Sequence, residues 1–117
     1  MKIEGEAKLL RIFIGEADKI NHVSVFEKII NEARKNNLAG ATAYKGIMGF
    51  GGNSRIHSAK ILRLSEDLPI VVEIVDEEKK IEEFIPFVEM LFKDAACGGL
   101  ITIEKAVIIK YTPNKSM

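Results

Sequence analysis

Between residues 7 and 16 the chain reads AKLLRIFIGE, a run of branched and aromatic residues that stops at Gly15. Such a run predicts a first β-strand. Further on the period lengthens: Val25, Phe26, Ile29, Ile30 and Ala33 recur at helical spacing and predict a helix from Val25 to about Asn37. Ser24 stands at its N-cap with Glu27 three residues on, the pattern of a capping box. Asn37 or Gly40 is available for a left-handed cap at its end.

The segments ATAYKGIM (41–48), IHSAKILRL (56–64) and PIVVEIVD (69–76) have strand character, the last opened by Pro69, where a missing N–H does least harm. Asp76 is placed to cap a second helix, whose stripe is Ile81, Phe84, Ile85, Val88, Leu91 and Phe92. Pro86 falls inside that stripe, where it costs about 3 kcal/mol in a regular helix. The stripe continues in phase beyond it, which predicts a kink and not a break. CGG (97–99) is expected to turn the chain, LITIEKAVIIKY (100–111) to form the last strand, and TPNKSM to fray. The order β-α-β-β-α-β, with one hairpin extension, predicts a single α+β domain over residues 1–117. Its expected architecture is a ferredoxin-like sandwich, an antiparallel sheet with two helices on one face.

Two helices cover one face only. In IVVEIV, Glu73 alone interrupts an apolar run, and AVIIKY is apolar on both faces until Lys110. The second face is therefore expected to be a broad aliphatic patch, larger than a soluble monomer tolerates, and to be covered by self-association, the alternative being a monomer whose loops or N-terminal MKIEGE fold over the sheet.

Composition narrows the classes. The 117 residues carry 17 basic and 17 acidic side chains, so no net field steers the chain to nucleic acid or anionic lipid. No apolar run approaches the ~20 residues of a membrane span, and MKIEGEAK is too charged for a signal peptide, which points to the cytoplasm. A lone cysteine, Cys97, excludes an intrachain disulfide and a Cys-rich zinc site. Absence of Gln and Trp beside heavy use of Ile, Lys and Glu leans towards a thermophile.

Candidate chemistry concentrates in GIMGFGGNSRIHS (46–58). Gly49, Gly51 and Gly52 lack the final glycine and the following helix of a dinucleotide fingerprint, and there is no Walker lysine. These glycines can present N–H groups as an anion nest or simply form a hairpin tip. Arg55 can grip a phosphate or carboxylate, or pair with an acid across a subunit boundary. His57 can contact a ligand or a backbone carbonyl, and with His22 and Asp18 it offers the donors of a metal site that no spacing requires. No catalytic set has local support, and the chain is read as a non-enzyme.

GATAYKGIMGFG, SRIHSAKILRLSEDLPIVVEIVD and LITIEKAVIIKY, with IFIGE and His22, resemble the domain-of-unknown-function family numbered 190 over nearly the whole chain. More distantly the chain is similar to the PII signalling proteins. That likeness implies a homotrimer with sheets facing inward and a nucleotide held at subunit clefts. Gly49, Phe50 and Gly51 match the base of the PII effector loop, Gly98 and Gly99 its glycine turn, and Lys110 a basic residue of its last strand. Leu100 and Ile108 stand where PII proteins carry a lysine and an arginine, and the modifiable tyrosine has no counterpart. The expectation is a regulatory, ligand-sensing protein that binds a small anionic ligand or nucleotide through Gly49, Phe50, Gly51, Gly52, Asn53, Arg55, His57, Gly98, Gly99 and Lys110. The alternatives are an interaction module that docks a partner protein through loop 49–57, and a metal-handling trimer.

Overall fold

The computed structural model describes residues 5–50, 57–58 and 68–113. Its elements are β1 (Gly5–Gly15), the short hairpin β2 (Lys19–Ile20) and β3 (Val23–Ser24), and α1 (Val25–Lys35). There follow β4 (Ala41–Lys45), a second hairpin β5 (Met48–Gly49) and β6 (His57–Ser58), β7 (Pro69–Asp76), α2 (Glu78–Ala95) and β8 (Leu100–Ile108). The main sheet has four strands in the order β4-β7-β1-β8, each neighbouring pair antiparallel. Each helix joins two strands with one strand between them, the split βαβ crossover of a ferredoxin-like α+β fold.

Alternation decides which side the helices take. On β1, Leu10, Ile12 and Ile14 are buried, and on β7, Ile70, Val72 and Ile74. They meet Val25, Ile29 and Ala33 of α1 and Ile81, Phe84, Val88 and Leu91 of α2 in one core. Each large aliphatic side chain so buried stabilises the fold by about 1.5–3 kcal/mol. α2 runs unbroken from Glu78 to Ala95 with Pro86 exposed on its outer side.

Several local expectations are corrected. Ser24 is the N-cap of α1, but its side chain makes no capping bond. The Val25 N–H, at the first helical position, donates to the Asp18 carbonyl at 2.9 Å, so the residue just before β2 supplies a partner at that end. The residue ending α2 in the left-handed conformation is Ala96 (φ 51), just before CGG. Cys97 N–H donates to Phe92 O at 3.2 Å and Ala96 N–H to Lys93 O at 3.1 Å, a Schellman pattern. Asn37 (φ 58) does take the left-handed place after α1, with Leu38 N–H on Ala33 O. Two strands end earlier than the apolar runs imply: β4 at Lys45 and β8 at Ile108. Of the expected strand 56–64, residues 57–58 are described, and the tail from residue 114 lies outside the described residues.

Asp76 ties the helix layer together. Its carboxylate is 1% exposed; Oδ2 accepts Ala39 N–H at 2.8 Å and Oδ1 accepts Glu77 N–H at 2.7 Å. Lys80 lies 3.7 Å from it and donates to Asn37 O at 2.8 Å. The helix N-cap is Glu77, so Asp76 acts one residue earlier than a cap, clamping the chain after α1 to the start of α2. Asp76→Ala leaves two part-buried N–H groups and an ammonium without that partner and is expected to lower stability by about 2–4 kcal/mol. Urea unfolding checks this, with Asp76→Asn losing less because one oxygen remains.

Candidate functional site

The sheet register gathers part of the expected site at one end of the sheet. Gly46 N–H donates to Pro69 O at 2.7 Å, and Pro69 pairs with Gly15. A Cβ on Gly49 would stand 3.2 Å from Pro69 Cγ, and one on Gly46 2.9 Å. Gly99 lies against the same end: a Cβ there would meet the Phe92 ring at 2.6 Å and Phe13 O at 2.9 Å. Lys45 and Glu16 form an ion pair at 2.9 Å between β4 and the chain after β1. Thus Gly49, Phe50, Gly98 and Gly99 share one end, and Gly49, in β5, pairs with His57 in β6.

Lys110 does not join them. β8 leaves the glycine turn at Leu100, opposite Phe13, and reaches Ile108 opposite Gly5. At ~3.3 Å per residue, Lys110 stands on the order of 30 Å from Gly99 in the same chain. Gly51, Gly52, Asn53 and Arg55 lie outside the described residues. For the metal alternative, His22 (φ 70) is the second central residue of the tight β2–β3 turn after Asn21 (φ 51), and exposed. Asp18 Oδ2 accepts Gly15 N–H at 3.0 Å. Among the described residues no group of three acidic, histidine or cysteine side chains is arranged to hold a metal.

Some glycines read as ligand contacts have a packing duty. Gly99 has no room for a side chain, whereas Gly98 has open space around its Cβ position and ordinary φ. Gly46 and Gly49 let the β4–β5 segment lie on the Pro69 ring.

The opposite face of the sheet differs from the aliphatic patch expected. By register and alternation, Val71, Phe13 and Leu100 form one apolar row across it, while Val75 and Leu9 lie on the far side. Between these run Thr42, Glu73, Arg11 and Thr102, with Tyr44 and Glu104 reaching in from adjacent rows. Tyr44 Oη donates to Glu73 Oε2 at 2.9 Å, Arg11 Nε donates to the same oxygen at 2.8 Å, and Arg11 Nη1 reaches Glu104 Oε2 at 3.2 Å. The network crosses all four strands, from Tyr44 on one edge to Glu104 on the other. Sequence reasoning missed it; the signal was Arg11 between Leu9 and Phe13, and Glu73 inside IVVEIV.

Hydrogen bonds from Arg11, then from Tyr44, hold the Glu73 carboxyl below its ordinary range against opposing desolvation. The bond to Glu73 raises the Tyr44 phenol and strengthens the proton hold of Arg11. A carboxyl whose folded pKa is depressed adds stability above its unfolded value, lost as pH falls through the folded one. The Glu73 contribution is therefore full above its ordinary 4.5 and fades as pH drops below it. Stability measured against pH is expected to fall less steeply below 4.5 in Glu73→Gln than in the parent. At the other site, Gly99→Ala is expected to destabilise by about 1–3 kcal/mol through overpacking on Phe92, with Gly98→Ala near neutral, both read by thermal melts.

The family model DUF190, described as an uncharacterized ACR, matches residues 7–108. The chain is similar to a UPF0166 protein of Aquifex aeolicus, 35% identical over 102 residues that cover 87% of this chain and 92% of the relative. A UPF0166 protein of Methanocaldococcus jannaschii is 33% identical over 105 residues, 90% of this chain and 94% of its own. In structure the chain is similar to CPII, a nitrogen regulatory PII-like protein from Thiomonas intermedia K12 bound to ADP, AMP and bicarbonate. That likeness has a TM-score of 0.68 at 15% identity and covers 90% of each chain. A phage SAM lyase in complex with S-methyl-5'-thioadenosine is similar at 0.52 and 12% identity, over 92% of this chain and 88% of that one. A regulator and a lyase on one frame speak for the fold and not for an activity. Family and frame agree: the chain belongs to the DUF190 family and has a PII-like, ferredoxin-like fold.

Proposed function

We propose that this chain, as one domain, is a non-enzymatic PII-like regulator that assembles as a homotrimer and binds a small anionic ligand, of nucleotide type, in clefts between subunits. The observation that carries the reading is the separation along β8. The glycine turn and the Gly49–Phe50 loop base share one end of the sheet, and Lys110 lies past the other. A ligand touching both sets must lie between two copies. Gly98, free of packing duty, offers backbone N–H contacts, Lys110 supplies charge from the neighbour, and Arg55 and His57 join from the loop. A PII-like structure that binds ADP, AMP and bicarbonate supports the choice of ligand class.

A second reading has its own observation. Ile47, Met48 and Phe50, at the base of the loop, are 80%, 61% and 66% exposed. Apolar side chains so presented suit direct docking of a partner protein without a small ligand.

Calorimetric titration with ADP, AMP and bicarbonate is expected to give saturable heat with at least one. Lys110→Ala is expected to weaken that binding about tenfold, the scale of one charge-assisted contact. Gly98→Ala, which leaves the fold intact, is also expected to weaken it. Silence with all three ligands overturns the ligand reading and leaves the docking one.

A further inference from the structure

Within one chain the network Tyr44–Glu73–Arg11–Glu104 supports the strand register, a task that the apolar core already performs. It lies on the side of the sheet away from both helices, with Arg11 and Glu73 part-buried and Tyr44 and Glu104 more exposed, where an ion pair near solvent contributes roughly 0–1 kcal/mol and holding long side chains in one geometry offsets even that. Arg11 and Glu73 still approach at 2.8 Å, and one Glu73 oxygen accepts from both Arg11 and Tyr44. Apolar rows flank the polar stripe on both sides. A face built that way has a specific chemical preference. One cation against two carboxylates repels a phosphate backbone or an anionic lipid surface and offers no single sign to a charged partner. A patch carrying both signs between apolar rows is instead complementary to itself. Glu104, half-exposed on the edge strand β8, stands where an arginine of a neighbouring copy can meet it.

The geometry points to a second copy of this chain as the cover for the open face, with the Arg11–Glu73–Tyr44–Glu104 stripe as the key that sets the register of that contact. The inference rests on the assembly part of the function proposed above and adds what specifies it. Apolar rows alone would let two sheets slide over one another. A polar stripe buried between them admits only the alignment in which every carboxylate keeps a donor.

The test uses the full chain in sedimentation equilibrium and light scattering. The parent is expected to show one discrete oligomeric mass. Arg11→Met leaves Glu73 and Glu104 facing each other in a dry contact and is expected to weaken association about tenfold or more, while far-UV circular dichroism keeps the folded signature. Replacing the whole stripe, Arg11→Met with Glu73→Leu, Glu104→Leu and Tyr44→Phe, is expected to keep association but to spread the single mass into several. This variant also serves if Arg11→Met alone fails to fold. A monomeric parent overturns the covering copy. A parent oligomer whose mass and affinity survive both variants overturns the key. Neither result depends on ADP titration, so silence there removes the ligand and leaves this inference standing.

Discussion

The pairing of β1 with β7 is the constraint on which both faces of the sheet depend. Residues opposite one another run from Lys8 with Asp76 to Gly15 with Pro69. Held in that register, Leu10, Ile12 and Ile14 lie beside Ile74, Val72 and Ile70 under the helices, and Arg11 lies beside Glu73 on the other side. A slip of one residue would turn Arg11 and Phe13 towards the helices and send the buried isoleucines to the open face. The core and the polar stripe are thus two consequences of one alignment, each opposing the same error.

Asp76 extends that alignment into the helix layer. It is the last residue of β7 and sits opposite Lys8, which itself lies 3.8 Å from Glu78 at the start of α2. The buried carboxylate draws the Leu38–Ala39 segment and the first residue before α2 onto the end of a central strand. Lys80 reaches both Asp76 and the Asn37 carbonyl, so the end of α1 and the beginning of α2 share one polar node. Both helices are therefore positioned by the strand that also sets the sheet register.

Much of this was legible in the chain as text, and the limits have physical causes. Isoleucines in period two, and Ile81, Phe84, Val88 and Leu91 in helical period, report burial, and burial is what the core enforces. That Pro86 does not break α2 was readable because the stripe keeps phase across it. The capping box did not form: Ser24 makes no side-chain capping bond, and the N1 donor, Val25 N–H, is satisfied by the Asp18 carbonyl. The chain turns between α2 and β8 where CGG stands, but the left-handed residue is Ala96, at a cost of about 1–2 kcal/mol, while Gly99 serves the close approach of Phe92. Arg11 and Glu73 were visible as polar letters in apolar runs. Their meeting depends on cross-strand register, which no local pattern contains. For the candidate site, the resemblance named Gly49 and Gly99, but their placement at one end of the sheet and the distance to Lys110 both needed the strand pairing and the direction of β8.

That direction shapes what one copy of the fold can do. β8 is an edge strand paired on one side with β1, and along it the chain passes from the glycine turn, through Glu104 in the polar stripe, to Lys110 beyond the sheet. Its side chains at Leu100, Ile103 and Val107 are 56%, 40% and 68% exposed, a long apolar edge that isolated proteins usually blunt with charge, proline or a covering segment. Lys105, lying between Ile103 and Val107 on the same side, is the charge that interrupts it. Among the described residues this edge is lightly protected, and it is continuous with the face that carries the polar stripe. Any contact that orders β8 against a neighbour would then also fix where Lys110 stands relative to that neighbour's glycine turn. In the proposed assembly the glycine turn and Glu104 of the polar stripe are thus borne on β8 or at its start, and Lys110 follows two residues after its end.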